Sequence, residues 1–377
     1  MNGKTGFSLY IHIPFCSKKC PYCHFFVVPT KNQDEARFIN ALIHEWQQKK
    51  HLIPEHDVIT LYFGGGTPTE LSTDGLCFLI DTFKKAYPSL KEITVEANPE
   101  SVTFEKIQAI QKAGCNRISL GVQSLVEEDL IVLKRQHQSQ KAIAAIMTCH
   151  LAGIDNISID LMYDLPNQTK ESLSKTLAIL PTLPITHLSV YNLVIEENTP
   201  FKRIEKELLK KMPDDALSLE LLNLTKSELE KMGFHRYEIS AFAKEGFRSL
   251  HNTGYWQSRP FLGLGPSSFS DDGQTRFKNA AHLARYYENV ENNKDPKDFE
   301  ECLEPLQRFK ERFIVRLRLF DPIILEEFFD VHGRPDQDFF KTLEDLKSRN
   351  LIAYDGKEVK LLESGANFFN EIASLLI

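Results

Sequence analysis

Three cysteines lie close together near the beginning of the chain, at Cys16, Cys20 and Cys23. They follow the apolar run at residues 9–13, which is typical of a buried strand. Iron–sulfur clusters are ligated by cysteine thiolates, so three thiolates at this spacing can hold three irons of a cubic [4Fe–4S] cluster. The fourth iron of such a cube would be open to a substrate or a cofactor.

Two other interpretations of the three cysteines are open at this point. A structural zinc site normally takes four ligands, often as two closely spaced pairs, and no second pair follows here. Three incidental buried cysteines would need no ligand at all. The spacing favours an open-site cluster over both. The remaining cysteines are scattered singly along the chain, at Cys77, Cys115, Cys149 and Cys302.

The elements that would position this loop alternate regularly. Six apolar runs predict strands, and helical patterns separate each strand from the next, which is typical of parallel β/α units. The predicted strands cover residues 7–13, 57–63, 92–96, 116–120, 156–161 and 185–191. The predicted helices cover residues 34–50, 73–87, 103–113, 126–135, 140–152 and 170–180.

Glycines and polar side chains fall at the carboxyl ends of these predicted strands. In a parallel barrel or an open α/β sheet, ligands bind along that edge. Each residue alone has an ordinary explanation, such as a tight turn, a helix cap or a loop. Together with the cysteine loop, they indicate one site. The residues are Gly64, Gly65, Gly66, Thr67, Glu96, Gln123, Asp160 and Tyr191.

The pattern changes beyond residue 191, and the end of the chain is predicted to form a second, smaller unit. A polar linker precedes a run of helices and a hairpin, an order that predicts a compact winged-helix-like tail. We expect one unit over residues 1–290 and a C-terminal domain over residues 297–377. The predicted elements are helices at residues 214–231, 307–319, 324–329, 338–349 and from 364, and strands at residues 235–239, 351–354 and 358–362.

Composition limits the classes of function. The 377 residues carry a net charge of −7, which argues against a nucleic-acid partner. No stretch approaches the roughly 18 apolar residues of a membrane span, and the first residues lack the layout of a secretory signal. The seven cysteines are odd in number and mostly isolated, which argues against a disulfide framework. We therefore expect a cytoplasmic protein in a reducing compartment.

The motifs resemble a known superfamily. A CxxxCxxC loop after the first strand, a glycine turn after the second and the polar strand ends resemble radical S-adenosylmethionine (radical SAM) enzymes. Within it, residues 10–16, 64–69 and 121–124 are similar to the oxygen-independent coproporphyrinogen III oxidase family. The resemblance covers nearly the whole chain. It implies a partial (β/α)6 TIM-like barrel with a smaller C-terminal helical, winged-helix-like domain.

The resemblance also implies roles for individual residues. The three cysteines of the loop would ligate a [4Fe–4S] cluster, and SAM would chelate its fourth iron. His24 is then expected to face solvent or a neighbouring side chain, because a fourth protein ligand would displace SAM. Backbone N–H groups of the glycine turn would approach the SAM carboxylate, and Asp160 suits its ribose hydroxyls. The implied SAM site comprises Tyr10, Tyr22, Gly65, Gly66, Thr67, Glu96, Gln123, Arg135, Asp160 and Val194.

Two departures bear on which branch of the family the chain resembles. Phe25 stands where the oxidases proper carry a fourth cysteine. The sequence His251-Asn252-x-x-Tyr255-Trp256 resembles the haem-binding motif of the haem-chaperone branch. There His251 would be an axial iron ligand and the two aromatic residues would flank the macrocycle. The alternative is a histidine packed in the core.

These departures imply a haem chaperone that binds haem and transfers it to an unidentified acceptor protein. The chain would then carry a cluster and SAM without being a genuine coproporphyrinogen dehydrogenase, and an electron donor would be needed if SAM is cleaved. The alternative is an enzyme that decarboxylates porphyrinogen propionates by radical chemistry. A scaffold without a cluster is disfavoured because all three cysteines are present.

A loop near the fifth strand also departs from the family pattern. Asp164 and Asn167 stand where two glycines are expected. Either this turn avoids positive φ, or Asp and Asn adopt it, as they do more readily than most residues.

Overall fold

The computed structural model describes residues 6–31, 33–54 and 57–377. In the first half of the chain, strands and helices alternate, and each predicted strand and helix is present to within three residues at its ends. The elements are β1 (Phe7–Ile13), β2 (Phe15–Cys16), β3 (Val28–Pro29), α1 (Glu35–Lys49), β4 (Val58–Gly65), α2 (Thr73–Ala86), β5 (Glu92–Ala97), α3 (Phe104–Ala113), β6 (Arg117–Gln123), α4 (Glu127–Val132), α5 (Ser139–Leu151), β7 (Asn156–Tyr163), α6 (Lys170–Ile179) and β8 (His187–Asn192). Short 3-10 turns lie at Lys50–Leu52, Pro68–Glu70, Pro99–Ser101 and Leu180–Thr182.

Six of these strands form the parallel part of the sheet. Their spatial order, β1-β4-β5-β6-β7-β8, is also their order along the chain, and every neighbouring pair is parallel. The helices pack apolar stripes against it; α2, for example, buries Leu76, Leu79, Ile80 and Phe83 at helical spacing. The predicted partial (β/α)6 arrangement is confirmed, and it brings the carboxyl ends of all six strands to one edge.

The sheet continues beyond the parallel strands on both sides, to twelve strands in the described residues. On one side, β8 pairs with an antiparallel strand, which in turn pairs with a short outer strand. On the other side, β1 pairs with a parallel strand, and three antiparallel strands follow it. The elements are α7 (Pro200–Arg203), α8 (Glu205–Leu209), α9 (Asp215–Lys231), β9 (His235–Arg236), β10 (Ala241–Ala243), α10 (Leu250–Trp256), β11 (Phe261–Leu264), β12 (Phe269–Asp271), β13 (Thr275–Asn279), α11 (Leu283–Glu291) and β14 (Lys297–Cys302).

The four strands β11 to β14 were not predicted from the sequence. They are three to six residues long, and β14 is mostly charged and exposed, so no apolar run marks it. The predicted strand at residues 235–239 is present only as the two residues of β9. These additional strands matter because they form a wall beside the cysteine loop.

The end of the chain forms a separate small sheet covered by helices. The order helix, strand, two helices and two strands is that of a winged helix, as predicted, and the sheet order is β15-β17-β16. The elements are α12 (Pro305–Leu317), β15 (Ile323–Ile324), α13 (Leu325–His332), α14 (Gln337–Ser348), β16 (Ile352–Tyr354), β17 (Glu358–Leu361), α15 (Glu363–Ala366) and α16 (Phe369–Leu376).

A second hydrophobic core accompanies this sheet. It is built around the stacked and edge-on rings of Phe309, Phe313, Phe328 and Phe339. β14 still belongs to the large sheet, although residue 297 was the expected start of the C-terminal domain. The division at residues 290 and 297 stays a prediction. In the described chain, no helix is both long and apolar enough to cross a membrane.

The packing of the second core allows us to predict how the loss of one ring changes the free energy of unfolding. Phe313 is fully buried and packs edge-on against Phe339 at 4.8 Å between ring centroids. Phe313→Ala should lower the free energy of unfolding by about 3–5 kcal/mol, because it removes a ring from a closed core. Denaturant titration followed by circular dichroism measures this.

The matched control is Phe368→Ala, since that ring is 54% exposed. We expect it to change the free energy by no more than about 0.5 kcal/mol. If the C-terminal domain unfolds as its own unit, Phe313→Ala will also produce a separate unfolding transition at a lower denaturant concentration. Equal losses in the two variants would contradict the assignment of a second core.

Candidate functional site

The cysteine loop leaves the sheet at the carboxyl end of β1. Its ends are held together by the pairing of β2 with β3, which places Phe15 opposite Val28 and Cys16 opposite Pro29. Inside the loop, the Cys23 N–H donates to the Cys20 carbonyl at 3.2 Å. The three thiols are partly exposed and form no disulfide.

The three thiols of this loop are suitable ligands for an iron–sulfur cluster, although they do not surround a common metal position. Within the described residues, no group of three or more His, Cys, Asp or Glu side chains is already arranged around a metal position. Burial raises the pKa of Cys16 to about 11, with its hydrogen bond to Thr67 opposing the shift. The loop therefore supplies three thiols, and a bound metal would have to draw them together and deprotonate them.

The glycine turn after β4 presses against this loop. A Cβ on Gly66 would lie 2.6 Å from the Phe15 carbonyl oxygen and 2.8 Å from that of Ile13, so only glycine fits. Gly65 has a φ of 103°, which favours glycine for a second reason. The Thr67 hydroxyl lies 3.4 Å from Cys16 Sγ. The turn is thus placed beside the first cysteine, as predicted.

The N–H groups of the turn are, however, already engaged within the protein. Gly66 and Thr67 each donate at 2.8 Å, to the carbonyls of Ile13 and Phe15, and Gly65 donates to the Glu96 carboxylate at 3.2 Å. The approach of these N–H groups to a ligand carboxylate, which the sequence analysis expected, would require these hydrogen bonds to be exchanged. Glycine is required here by backbone packing. Whether Gly65, Gly66 and Thr67 bind a cofactor stays a prediction.

Arg135 ties the cysteine loop to the strand ends. Its Nη1 donates to Cys20 Sγ at 3.2 Å, and its Nη2 donates to Asn98 Oδ1 at 2.6 Å and to the Gly121 carbonyl at 2.7 Å. Its Nε is buried and has no partner among the described residues. The side chain is thus an organising group of the site rather than a solvated helix charge. The orphaned Nε is a donor that a ligand can use.

Asn98 was missed by the sequence analysis. It joins Arg135 to Thr67, since its Nδ2 donates to the Thr67 hydroxyl at 2.7 Å. Its position just after β5, two residues beyond Glu96, is the signal that could have identified it.

Gln123 lies beside this cluster in a backbone conformation that is rare for its type. Its φ is 68°, and the register of β6 with β7 shifts between Gly121 and Gln123. A Cβ on Gly121 would lie 3.1 Å from Gln123 Nε2 and 3.0 Å from Asn98 Oδ1, so these two amides are neighbours. Outliers of this kind persist where surrounding structure holds them, often at binding sites.

Two buried carboxyl groups also lie near the strand ends, Glu96 on β5 and Asp160 on β7. Glu96 accepts from the Tyr62 hydroxyl at 2.6 Å, and burial raises the pKa of Glu96 to about 7. Burial also raises the pKa of Asp160 to about 6, while the Ser189 and Ser119 hydroxyls oppose that shift. The negative charge of Asp160 further raises the pKa of Glu96. At neutral pH, Asp160 is therefore mostly ionised and Glu96 only partly so, and a cation bound nearby would lower the pKa of both groups.

Aromatic residues surround these polar groups. The Tyr10 ring stacks on Tyr62 at 6.1 Å, and the Tyr22 hydroxyl lies 3.5 Å from Arg135 Nη1. Tyr191 and Val194 lie at and after the end of β8 and are about half exposed. Tyr62, which the sequence analysis did not single out, sits inside a strand, where no turn or polar neighbour marks it.

The motif at residues 251–256 forms α10, which packs beside β4. The His251 ring is 1% exposed; its Nδ1 lies 2.9 Å from Thr60 Oγ1 and its Nε2 2.8 Å from the Tyr255 hydroxyl. The ring also stacks on Tyr62 at 4.8 Å. Burial lowers the pKa of His251 to about 3. His251 is thus packed in the core with both nitrogens engaged, and axial ligation by it stays a prediction that requires Tyr255 to move.

The other residues of the motif are more accessible. Asn252 lies on the first turn of α10, where its N–H donates to the Ser249 hydroxyl at 3.2 Å. The Arg318 guanidinium lies over the Trp256 ring at 4.3 Å from its centroid. Tyr255 and Trp256 both face a large cavity, whereas His251 does not line it.

This cavity has a volume of about 730 Å³ and lies between the cysteine loop, α10, the strands β12 and β13, and α12. His24 is exposed at its edge, as expected, and Phe25 is 55% exposed beside it. Much of the wall is aromatic: Phe25, Phe26, Tyr255, Trp256, Phe261 and Phe269.

Cationic side chains also line the cavity. Arg276 is paired with Glu301 and Glu311. Lys278 Nζ instead lies over the Phe269 ring at 5.3 Å, and Arg308 donates to the Leu303 carbonyl at 2.9 Å. In the described parts of the chain, neither Lys278 nor Arg308 forms an ion pair with a carboxylate. The sequence analysis missed both, because they lie on the unpredicted β13 and on the first turns of α12.

Comparison with known proteins agrees with this geometry. The radical SAM superfamily matches residues 10–180. The chain is 32% identical to the heme chaperone HemW of Bacillus subtilis over 97% of each protein, and 31% identical to that of Escherichia coli over 98% of each. Coproporphyrinogen III oxidase (HemN) from Escherichia coli has the same fold, with a TM-score of 0.86 at 23% identity over 98% of this chain and 90% of that one. The chain therefore belongs to the radical SAM superfamily and, within it, to the family of the heme chaperone HemW.

Proposed function

We propose that this protein is a haem chaperone, which binds haem as cargo and passes it to an acceptor protein. The observation that carries the proposal is the cavity of about 730 Å³, which is lined by both aromatic rings and cationic side chains. Relatives with this name from several bacteria match the chain over almost their whole length.

The chemistry of the cavity suits a flat macrocycle with acidic substituents. Its volume is within the range of sites that enclose small molecules, roughly 300–1,000 Å³. Aromatic faces such as Trp256 and Phe261 can pack against a porphyrin plane. Lys278 and Arg308 have no carboxylate partner among the described residues, so each can offer a charged donor to a propionate.

We further propose that the cysteine loop holds a [4Fe–4S] cluster and that SAM occupies the adjoining strand ends. Cys16, Cys20 and Cys23 would ligate three irons. When bound, the cluster and SAM would supply one-electron chemistry. The residues of the chain bind and orient: Arg135 holds Cys20 in place, and the carboxyl pair favours a cationic ligand.

Other residues would border the proposed SAM pocket: Tyr10, Tyr22, Gln123 and Val194. Asn252 would support α10. The acceptor is an unidentified protein, and an electron donor is required if SAM is cleaved. The proposed compartment is the cytoplasm, in agreement with seven cysteines that are all free. The C-terminal domain, on this proposal, offers a surface to a protein partner.

The cluster assignment predicts which cysteines matter. Cys16→Ser, Cys20→Ser and Cys23→Ser should each lose most of the iron and sulfide that anaerobic reconstitution introduces, because a serine hydroxyl is a poor replacement for a thiolate. Iron and sulfide analysis with visible absorption measures this. Cys302→Ser, at an exposed position far along the chain, should load normally. Full loading of the Cys20→Ser variant would contradict the assignment.

The cargo assignment predicts that the purified protein binds haem and releases it to an apo-haemoprotein. Lys278→Met should weaken haem binding about tenfold, the size of one charge-assisted contact. Haem dimethyl ester, which lacks the carboxylates, should bind both forms equally. Lys341→Met is the control, because that side chain is exposed and paired with Asp338 on α14.

Two results would overturn the proposed function. The first is the absence of saturable haem binding by the wild-type protein. The second is clear anaerobic turnover of coproporphyrinogen III to its doubly decarboxylated product by the reduced cluster with SAM, which would assign the chain to the alternative, enzymatic class.

A further inference from the structure

The loop at residues 265–268 follows β11 and forms part of the cavity wall. Because β11 is parallel to β1, this loop lies at the same edge of the sheet as the cysteine loop. Gly265 has a φ of 94°, and a Cβ there would collide with the carbonyl oxygen of His12 on β1. Ser267 lines the cavity and has a φ of 65°, which is uncommon for a residue other than glycine. The loop thus holds a serine in an unusual conformation beside the cavity.

The buried carboxylate of Glu45, on α1, fixes this loop. One of its oxygens accepts from the Gly265 N–H and from the Tyr286 hydroxyl, both at 2.8 Å. The other accepts from Asn279 Nδ2 at 2.6 Å and from Lys49 Nζ at 2.9 Å. Asn279 Nδ2 also donates to the Gly265 carbonyl at 2.9 Å. A buried polar network with all its bonds made is rigid, so the loop has a defined shape before a ligand arrives.

The hydroxyl of Ser267 is left available by this network. It has no hydrogen-bond partner among the described residues, and it is accessible rather than buried. The neighbouring Ser268 hydroxyl, by contrast, donates to the Gly265 carbonyl at 2.7 Å. Strained backbone conformations of this kind are often found at binding sites. A free hydroxyl offers one donor to a ligand in the cavity.

The ammonium group of Lys278 lies on the adjacent strand. Lys278 pairs with Phe269 between β13 and β12, and the Ser267 N–H bond to the Ala280 carbonyl, at 3.1 Å, continues this pairing. Residues at such a diagonal offset lie roughly 7–8 Å apart, within reach of a long side chain. Ser267 and Lys278 both line the cavity. One ligand group can therefore contact the hydroxyl and the ammonium together.

The carboxylates that line the cavity are paired with arginines instead of Lys278. Glu301 and Glu311 pair with Arg276 at 2.6 and 2.7 Å, and Asp271 lies 3.9 Å from Arg312 Nη2. The ammonium of Lys278 is thus available to an acid that the ligand brings.

We infer that Ser267 and Lys278 form a carboxylate subsite that binds one propionate of haem, and that Glu45 is the positioning residue that holds the serine there. The carboxylate accepts one hydrogen bond from the hydroxyl and one from the ammonium, and such bonds to charged groups are stronger than neutral ones. This inference rests on the proposed function, since the propionate belongs to the proposed cargo.

The test is a titration of the full-length protein with haem and with haem dimethyl ester, followed by visible absorption. Ser267→Ala should weaken haem binding about tenfold and leave binding of the ester unchanged. The double variant with Lys278→Met should fall well short of the roughly hundredfold product of the two single losses, because both side chains contact one carboxylate. Ser374→Ala, at an exposed position on α16, is the matched control and should bind as the wild type does.

Two further sets of variants separate the hydroxyl from the backbone. Ser267→Gly also lacks the hydroxyl but adopts positive φ without strain, so it should match Ser267→Ala. Glu45→Gln keeps the shape of the side chain, and Tyr286→Phe removes a single bond to it, which guards against a folding defect. Each should weaken haem binding, by about threefold for Tyr286→Phe, and neither should weaken it further once Ser267→Ala is present.

The results distinguish the subsite from the proposed function. If the wild type binds haem and either Ser267 variant binds it equally tightly, the subsite is overturned and the proposed function stands. The same holds if the ester is weakened as much as haem, or if the two single losses simply multiply. Equal losses from Glu45→Gln with and without the Ser267 hydroxyl would overturn the positioning role. If the wild type binds no haem, the subsite and the proposed function are both overturned.

Discussion

The contact on which the site depends is between two stretches of backbone. Gly66, at the end of β4, lies so close to the carbonyl of Phe15 that any side chain would be excluded. Two hydrogen bonds, from Gly66 and Thr67 to the chain leaving β1, lock this contact. The loop with its three thiols is therefore anchored to the neighbouring strand before any metal is bound. The glycine turn contributes mainly through this anchoring.

A second residue, Tyr62, connects the polar groups at the strand ends with the helix α10. Its hydroxyl donates to Glu96 in the strand-end pocket, and its ring stacks on His251 behind the cavity. Tyr10 stacks on Tyr62, lies 6.5 Å from the His251 ring and lines the cavity. The region proposed for SAM and the region proposed for haem thus share a wall of aromatic rings. A change of charge or position at Glu96 acts directly on that wall.

Much of the fold could be predicted from the sequence, and the exceptions have physical causes. The parallel strands are buried apolar runs, such as β1, and their helices carry apolar stripes at helical spacing, so both were recognised. β12 has only three residues, and β14 is a mostly charged strand at the edge of the sheet, so neither carries an apolar run that would mark it. Asp164 and Asn167 adopt φ values of 58° and 63°, so the turn keeps positive φ without glycine. The positions of strand-end residues such as Glu96 could be predicted, because the order of parallel strands alone brings their carboxyl ends to one edge. The burial of His251 could not be predicted, because it depends on contacts with Thr60 and Tyr255 that form only in the folded chain.

Beside the cavity, the large sheet contacts the C-terminal helices through polar groups, unlike the packing inside the two hydrophobic cores. Arg276 on β13 pairs with Glu311 on α12 at 2.7 Å, and Arg312 donates to the Gly273 carbonyl at 2.6 Å. These polar contacts span one side of the cavity, where apolar packing would otherwise seal it. Partly exposed ion pairs contribute little to stability and are weakened by salt. Added salt should therefore loosen the contact between β13 and α12 on this side of the cavity, while the cysteine loop keeps its separate backbone anchor.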